Sequence, residues 1–337
     1  MAVDVPAASS GADPGVDLEV EQHVPDRSPM AAEAMGIGPR AAKRGSVTRV
    51  VTPTISVRKR LREIWLSREL LIYLVRTEIK VKYKNSVLGL VWSMVAPAMT
   101  LAIYFFVFSI LLDNKMPNFV IFLFAGLLIW NLFQLGLLTG TGVIVNNAGI
   151  VKKVSFPREI LALAAVGSAC VFFFFQSIVM VIFMVILRTP PDVAYFPLMI
   201  VALIAGVIFA SGLAILLSSI NVYLRDTQHL IEVILTAWFW ACPIVYSYQT
   251  VEAKLGPRHL TWIYLMNPMT PLVLAFQRCL YNKPSYTLNG VTTAVLPQHG
   301  YLWYSVLVGI VLVMAVILFL VGLAVFGRLE GNFAEEL

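Results

Sequence analysis

The chain has 337 residues, of which 59% are hydrophobic and only 13% are charged. Soluble domains carry about 25% charged residues, so this composition excludes an ordinary soluble protein and predicts a polytopic α-helical membrane protein. The apolar residues form continuous runs rather than alternating segments of about ten residues, which excludes a transmembrane β-barrel. The formal net charge of +6 does not indicate a nucleic-acid partner, because the basic residues concentrate where positive-inside topology places them.

The N-terminal part of the chain changes character near residue 56. Residues 1–55 are rich in Ala, Gly, Pro, Ser and Asp and hold few large apolar side chains, which predicts a disordered cytoplasmic tail. In residues 57–80, apolar side chains recur at three- and four-residue steps and so form a stripe along one face of a helix. Most of the basic residues lie outside this stripe. We interpret this segment as an amphipathic helix in the membrane interface, with Trp65 at headgroup depth; packing on a soluble partner is the alternative. The stripe comprises Leu61, Ile64, Trp65, Leu71, Leu74 and Val75.

Six apolar runs of spanning length follow the interface helix. Lys and Arg are dense before the first run and in the loop after the second, so both termini are expected in the cytoplasm. The sequence therefore predicts an all-α, multi-pass protein of the plasma (inner) membrane, with six transmembrane helices in a domain over residues 81–330. The approximate runs are 87–112, 119–145, 160–187, 196–220, 230–248 and 301–326.

The long segment between the fifth and sixth runs is expected on the external side. It contains two short apolar stretches, which are separated by Asn267 and Pro268. Each stretch is too short to span a bilayer, so they are interpreted as re-entrant or interfacial helices. Irregular backbone at membrane depth is tolerated only against protein or a water-filled cavity, which indicates the mouth of a pore.

The sequence lacks the motifs of common membrane enzymes and pumps. It has no phosphate-binding GxxxxGK[ST] loop, no HExxH or GxSxG motif, and no His or Cys pair at metal-ligand spacing. We therefore predict no catalytic residue, no metal site and no cofactor bound by this chain. Glu232 is the exceptional ionisable residue within the runs, and pairing with Arg225 is its expected role. Without mid-membrane carboxylates, ion-coupled transport is disfavoured, and the energy for any transport must come from a partner.

Aromatic residues cluster in several runs, and an aromatic-lined path would suit a glycan. Packing among helices and lipids is the favoured alternative for any single ring. The clustered rings are Phe105, Phe106, Phe108, Phe172, Phe173, Phe174, Phe175, Trp238, Phe239 and Trp240.

The boundary between the basic segment and the first run carries a recognisable pattern. It resembles the start of the first span in ABC-2 type permeases that export polysaccharides and polyol phosphates, such as O-antigen, teichoic acid and galactan exporters. Further matches to that family follow in the same order along the chain, over about residues 57–330. The matching residues are Tyr83, Lys84, Ser86, Leu88, Gly89, Trp92 and Pro97, then Asn146, Asn147, Lys152, Lys153, Phe156 and Pro157, then Tyr223, Arg225, Asp226, Pro243, Asn267, Pro268 and Arg278.

The resemblance implies roles for three groups of residues. The implied ATPase-coupling residues are Lys152, Lys153, Phe156, Pro157, Arg158, Arg225 and Asp226. The implied entrance and interface residues are Trp65, Lys80, Lys82, Lys84, Ser86, Gly89, Trp92 and Pro97. The implied external gate comprises Trp262, Asn267, Pro268 and Arg278. We also expect Gly89 to permit close helix approach and Pro97 to bend the first span. The basic residues near the entrance could attract the diphosphate of the substrate, but ordinary positive-inside anchoring is the favoured alternative. These residues are Arg76, Lys80, Lys82 and Lys84.

The resemblance also implies partners and a function. Two copies of the chain would form a channel, and a separate ABC ATPase dimer carrying ATP and Mg²⁺ would bind below it. The implied function is the membrane subunit of an ATP-driven exporter of a lipid-linked polysaccharide, without a nucleic-acid partner. A permease for a drug or small lipid is the nearest alternative. A membrane scaffold or a flippase-like enzyme is a further class, of which the enzyme would require carboxylate clusters that the sequence lacks.

Overall fold

The computed structural model describes residues 57–84, 86, 89–111, 116–154, 156–282, 285–288 and 291–337. The predicted tail over residues 1–55 lies outside the described residues. The helices are α1 (Val57–Leu66), α2 (Arg68–Lys82), α3 (Trp92–Phe105) with a π-helical extension (Phe106–Leu111), α4 (Phe119–Asn146), α5 (Ala148–Lys153), α6 (Glu159–Ile186), α7 (Phe196–Tyr223), α8 (Thr227–Trp240), α9 (Tyr248–Leu255), α10 (Thr261–Leu265), α11 (Met269–Leu280), α12 (Tyr301–Leu329) and α13 (Phe333–Glu336). Short 3-10 turns lie at Gly89–Val91, Val193–Tyr195, Gly256–Arg258 and Glu330–Asn332.

Five helical segments of the described chain are long and apolar enough to cross a membrane. They correspond to the first four predicted runs and to the sixth, which confirms a multi-pass, mainly helical membrane protein. The five segments are Trp92–Leu111, Phe119–Asn146, Glu159–Ile186, Val193–Tyr223 and Tyr301–Asn332.

The fifth predicted run, residues 230–248, does not form one spanning helix. Helix α8 has 14 residues and ends at Trp240, which gives a length of about 21 Å, shorter than the roughly 30 Å hydrocarbon core. Turns follow, and they include Pro243, which has no backbone N–H to continue a helix. Hydropathy overestimated this run because it does not register the backbone break at the proline.

Helix α4 lies at the centre of the bundle. It contacts α3, α6, α7, α8 and α11, and most of its side chains are buried. Its sequence is apolar on every face, as expected for a helix that is surrounded by other helices. The α3 segment is the opposite case, because Ser93 and Leu101 are its buried residues while most of its other described side chains face outward.

The predicted interface helix over residues 57–80 is divided at Ser67 into α1 and α2. Val57 and Ile64 pack against the core, whereas Leu61 and Trp65 are exposed, Trp65 by 70%. The face of α1 that packs on the rest of the chain therefore runs through Val57, Arg60 and Ile64. Leu61 and Trp65 face away from the bundle, and the position of this helix in the membrane interface stays a prediction.

One part of the described chain forms β-structure. Strands β1 (Ser285–Leu288) and β2 (Val291–Ala294) form an antiparallel pair in which Leu288 lies opposite Val291. The all-α prediction therefore missed a β-hairpin. The intervening Asn289 and Gly290 form the dipeptide that most strongly indicates a two-residue hairpin loop, so the sequence held the signal.

Helices α7 and α12 form the most extensive helix pair, and two glycines permit their close approach. A Cβ atom added to Gly212 would lie 2.9 Å from the backbone N and Cα of Phe319. A Cβ atom added to Gly322 would lie 2.7 Å from the carbonyl oxygen of Gly212. Small residues at such crossings are typical of membrane helix packing.

Replacing Gly212 with Val should separate α7 from α12 and lower the free energy of unfolding by about 1–3 kcal/mol, because the added methyl groups overpack the contact. The control is Gly309→Val, since a Cβ atom at Gly309 in α12 meets no atom within 4 Å. Reversible unfolding of the purified variants in mixed micelles measures the difference. Equal stability of the two variants would contradict the close contact.

Candidate functional site

The Arg60 cluster, formed by Arg60, Glu159 and Glu330, joins three parts of the chain that are distant in sequence. Arg60 lies in α1, Glu159 begins α6 and Glu330 follows α12. The Arg60 guanidinium donates hydrogen bonds to both carboxylates, and its Nη1 lies 3.1 Å from Oε2 of Glu330. Glu159 is only 1% exposed, so its charge depends on this partner. The hydrogen bond that Arg60 donates to Glu330 raises the pKa of Arg60 above its ordinary value, which keeps the guanidinium charged.

The backbone of α12 shapes the place where Arg60 lies. A Cβ atom added to Gly327 would be 2.7 Å from Cζ and Nε of Arg60. Only a residue without a side chain leaves room for the guanidinium there, so the cluster depends on Gly327 as well as on its charged members.

The C-terminal residues close over the same end of the bundle. Arg158 Nη1 donates to the carbonyl oxygen of Glu330 at 2.8 Å, and its Cζ lies 5.8 Å from the ring centre of Phe333. The Tyr223 hydroxyl donates to the carbonyl oxygen of Leu329 at 2.8 Å. Phe333 is 0% exposed and packs against the Tyr223 ring. This end, which carries α1, α5, the turn after α7 and α13, is called the basal end below.

The structure brings several of the predicted coupling residues to the basal end. Lys152 and Lys153 are exposed in the last turn of the six-residue helix α5. Phe156 packs partly against the core, and Pro157 is half-buried. Arg158 is used within the chain, because it holds the C-terminal residues rather than standing free.

Arg225 and Asp226 lie in the turn between α7 and α8, and both are exposed. They line a groove of about 640 Å³ together with Glu336 of α13. Within the described residues, no ion pair joins Arg225 to Glu232, and that expected pairing is therefore wrong. Glu232 instead lines a separate cavity beside α2.

This second cavity, called the interface cavity, lies between α2, α4, α6 and α8 and has a volume of about 590 Å³. Lys82 extends into it with its ammonium nitrogen 4.3 Å from the ring centre of Phe172. The Tyr83 ring lies edge-on to Phe172 at 6.0 Å. Lys82 thus lines the cavity, whereas Lys80 and Lys84 are exposed elsewhere.

The charges around the interface cavity are mixed. Glu78 and Glu232 line it beside Lys82. Burial raises the pKa of Glu78, although Ser168 and Lys82 oppose that change. Burial also lowers the pKa of Lys82, against the attraction of Glu78. Two carboxyl groups beside one ammonium group do not make a strongly cationic lining.

The start of the first span is organised by a turn. The Ser86 hydroxyl oxygen accepts a hydrogen bond from the Gly89 N–H at 3.2 Å. Gly89 has φ +50°, a conformation that favours glycine, and a Cβ atom there would meet no atom within 4 Å. Gly89 therefore permits the turn. No helix in the described part of this chain approaches it closely, and close approach by a helix of a second copy stays a prediction. Trp92 begins α3 with about half of its surface exposed, and Pro97 lies inside that helix.

At the opposite end of the bundle, Asn267 joins α8 to α11. Its side-chain oxygen accepts from Trp238 Nε1 at 2.8 Å and from the Met269 N–H at 3.1 Å. Its amide nitrogen donates to the Ala241 carbonyl at 3.2 Å and to Cys242 Sγ at 3.3 Å. The Asn267 side chain thus accepts a hydrogen bond from a backbone N–H at the start of α11 and donates one to a backbone carbonyl group just after the end of α8. Pro268 directly precedes α11.

Helix α11 is buried among the spanning helices. Its Gln277 donates from Nε2 to the carbonyl oxygen of Pro243 at 2.8 Å. Its Arg278 lies 3.2 Å from the Asp192 carboxylate and stacks over the Tyr195 ring at 4.2 Å. Trp262 is separate from these contacts, because it lies in α10 and is 59% exposed. Three of the four predicted gate residues therefore lie at or within this buried junction.

Sequence reasoning missed the residues that hold the basal end together. They are Arg60, Glu159, Glu330 and Phe333. Arg60 lies four residues before Ile64, on the packed face of α1, and this spacing is the signal that could have identified it. Among the described residues, no group of three or more His, Cys, Asp or Glu side chains is arranged to hold a metal ion.

Comparison with known proteins gives the family. Residues 69–281 match the ABC-2 type transporter family. An O-antigen export system permease protein from Klebsiella pneumoniae is 29% identical over 269 residues, which cover 80% of this chain and 95% of that protein. A protein of the same description from Myxococcus xanthus is 31% identical over 244 residues, which cover 70% of this chain and 92% of that protein. Since the family match extends over more than half of the chain, the protein belongs to the ABC-2 type transporter family.

Proposed function

We propose that this chain is the transmembrane permease subunit of an ATP-driven ABC exporter that moves a lipid-linked polysaccharide across the plasma membrane. The observation that carries this proposal is the similarity to O-antigen export permeases along 95% of the length of one relative and 92% of another. The substrate class is an O-antigen-like, galactan-like or teichoic-acid-like glycan on a lipid carrier.

We propose that the energy comes from a separate ABC ATPase dimer, which holds ATP and Mg²⁺ and binds the basal end. The exposed helix α5, the turn at Arg225 and Asp226, and the ordered C-terminal residues form a broad surface there. The Arg60 cluster fixes α1 to this surface, so a displacement of α5 and the start of α6 would be transmitted to the interface helix. The basal end is then cytoplasmic, as are both termini.

The proposed topology has six membrane crossings. The fifth is α8 together with the turns that follow it, and α11 is re-entrant from the external side. Irregular backbone at membrane depth requires protein partners, and Asn267 and Gln277 supply them to the carbonyl groups of Ala241 and Pro243. This arrangement supports an external gate that includes Asn267, Pro268, Arg278 and the exposed Trp262.

Two copies of the chain are proposed to form the channel. The α3 segment presents apolar side chains that the described part of its own chain leaves uncovered, including Met99, Ile103 and Ile110. The exposed apolar face of α8, with Val233 and Ile234, offers a second surface for a partner copy. The interface cavity, with Lys82 at its edge, is the proposed entrance for the lipid-linked substrate, beside the boundary formed by Ser86, Gly89, Trp92 and Pro97.

Depletion of this subunit should cause the lipid-linked glycan to accumulate on the inner leaflet, because synthesis continues while export stops. Metabolic labelling of the glycan, followed by comparison of the two leaflets, provides the measurement. Unchanged inner-leaflet glycan together with reduced drug efflux would reject the proposed substrate in favour of a drug or small-lipid permease.

Lys153→Glu should weaken binding of the partner ATPase about tenfold, because the charge reversal places an anion on the proposed docking surface. The subunit should remain inserted, since Lys153 is exposed. The control is Lys254→Glu, which reverses the charge of an exposed side chain in α9. Titration of the reconstituted permease with its ATPase measures affinity; equal affinity of the two variants would refute the assignment of α5.

Arg60→Met should lower the free energy of unfolding by about 3–5 kcal/mol, because it leaves the buried Glu159 carboxylate without a counter-charge. Adding Glu159→Gln should restore part of that loss. Arg62→Met, an exposed position in the same helix, is the control. If Arg60→Met unfolds at the same denaturant concentration as Arg62→Met, the cluster does not hold α1 to the bundle.

A further inference from the structure

One apolar cavity that the described residues line has no role in the proposed transport cycle. It lies between α6 and α7 at the end remote from the basal end, with a volume of about 690 Å³. Leu128, Met180, Met184 and Phe276 form its buried floor, while Val181, Val185, Phe196 and Ile200 are exposed at its rim. We call it the α6–α7 crevice. Its volume falls within the roughly 300–1,000 Å³ that is usual for small-molecule sites.

The crevice opens toward the surroundings of the bundle. Its rim is made of apolar side chains on two spanning helices, and such side chains contact lipid when the helices cross a membrane. A gap between apolar helices loses dispersion contacts unless something of matching shape fills it. The acyl chain of a lipid is flexible enough to fill such a gap, and acyl chains surround the spanning helices in a membrane.

Two polar groups lie at one end of the crevice, in the link between α6 and α7. Arg188 and Thr189 both line it. Thr189 is 6% exposed, and its Oγ1 has no hydrogen-bond partner in the described part of the chain. A buried hydroxyl without a partner is costly, so this atom indicates a ligand atom within reach.

The Arg188 guanidinium is also available. The neighbouring carboxylate, Asp192, is engaged by Arg278 at 3.2 Å. Arg188 itself forms no ion pair with another residue of the described ranges. Arg188 is the one ionisable side chain among the residues that line the crevice in the described part, so the site is cationic at this end and apolar elsewhere.

We propose that the α6–α7 crevice binds one anionic membrane phospholipid, with an acyl chain in the apolar part and the phosphate at Arg188 and Thr189. A guanidinium and a hydroxyl are both donors to phosphate oxygens. The ends of α6 and α7 place these donors where a headgroup lies if the two helices span the bilayer. The proposal requires membrane insertion alone and stands apart from the identity of the transported substrate.

The test uses the full chain in nanodiscs of phosphatidylcholine that contain a minority of phosphatidylglycerol. Native mass spectrometry of the released protein counts the retained lipid. We expect one phosphatidylglycerol per chain, and about tenfold weaker retention in Arg188→Gln with Thr189→Val, because the loss of charge-assisted hydrogen bonds is of that size. Arg328→Gln, which removes an exposed charge from the last turn of α12, is the control and should retain the lipid.

A second pair of variants tests the apolar part. Ser177→Trp fills the crevice and should abolish retention, whereas Ile178→Trp places the same side chain at the next position of α6, which does not line the crevice. Three results would overturn the proposal: wild-type protein that retains phosphatidylcholine as well as phosphatidylglycerol, preferential retention of an added polyprenyl phosphate, or unchanged retention in both Arg188→Gln/Thr189→Val and Ser177→Trp. If Ser177→Trp does not fold, the polar double variant decides the question.

Discussion

The buried carboxylate of Glu159 constrains the whole basal end of the molecule. A charge at the start of a spanning helix that is only 1% exposed must be neutralised within the protein. Arg60 supplies the positive charge, and for this purpose α1 must lie against both α6 and the end of α12. Glu330 then shares the guanidinium, and its own carbonyl group accepts from Arg158. The positions of α1, of the start of α6 and of the C-terminal residues are thus tied to one electrostatic requirement.

Much of the fold could be predicted from the sequence, because hydropathy over twenty or more residues responds to the bilayer and not to the details of packing. Four of the first five predicted runs and the last one agree with the helices of the structure. The run around Pro243 was overestimated, since apolar residues continue past the point at which the backbone leaves the helix. The hairpin at Ser285–Ala294 was missed although Asn289 and Gly290 indicated it.

The candidate site was less predictable, for a different reason. The family pattern predicts roles for Lys152, Arg225 and Asn267, but long-range pairing is not visible in a single sequence. Arg60 and Glu330 are 270 residues apart, and neither belongs to a motif. Gly89 shows a different limitation. The sequence indicated that Gly89 is a special position, but only its backbone φ angle shows that it lies in a left-handed turn.

The Arg60 cluster also has a consequence for the order in which the protein is made. A chain is synthesised from its N-terminus, so α1 emerges long before Glu330 does. The cluster can be completed only after α12, the last spanning helix, has been produced. A nascent or shortened chain holds α1 by one carboxylate instead of two, and it lacks the residues that cover Tyr223. The basal end is therefore completed only after α12 and the residues that follow it have been synthesised.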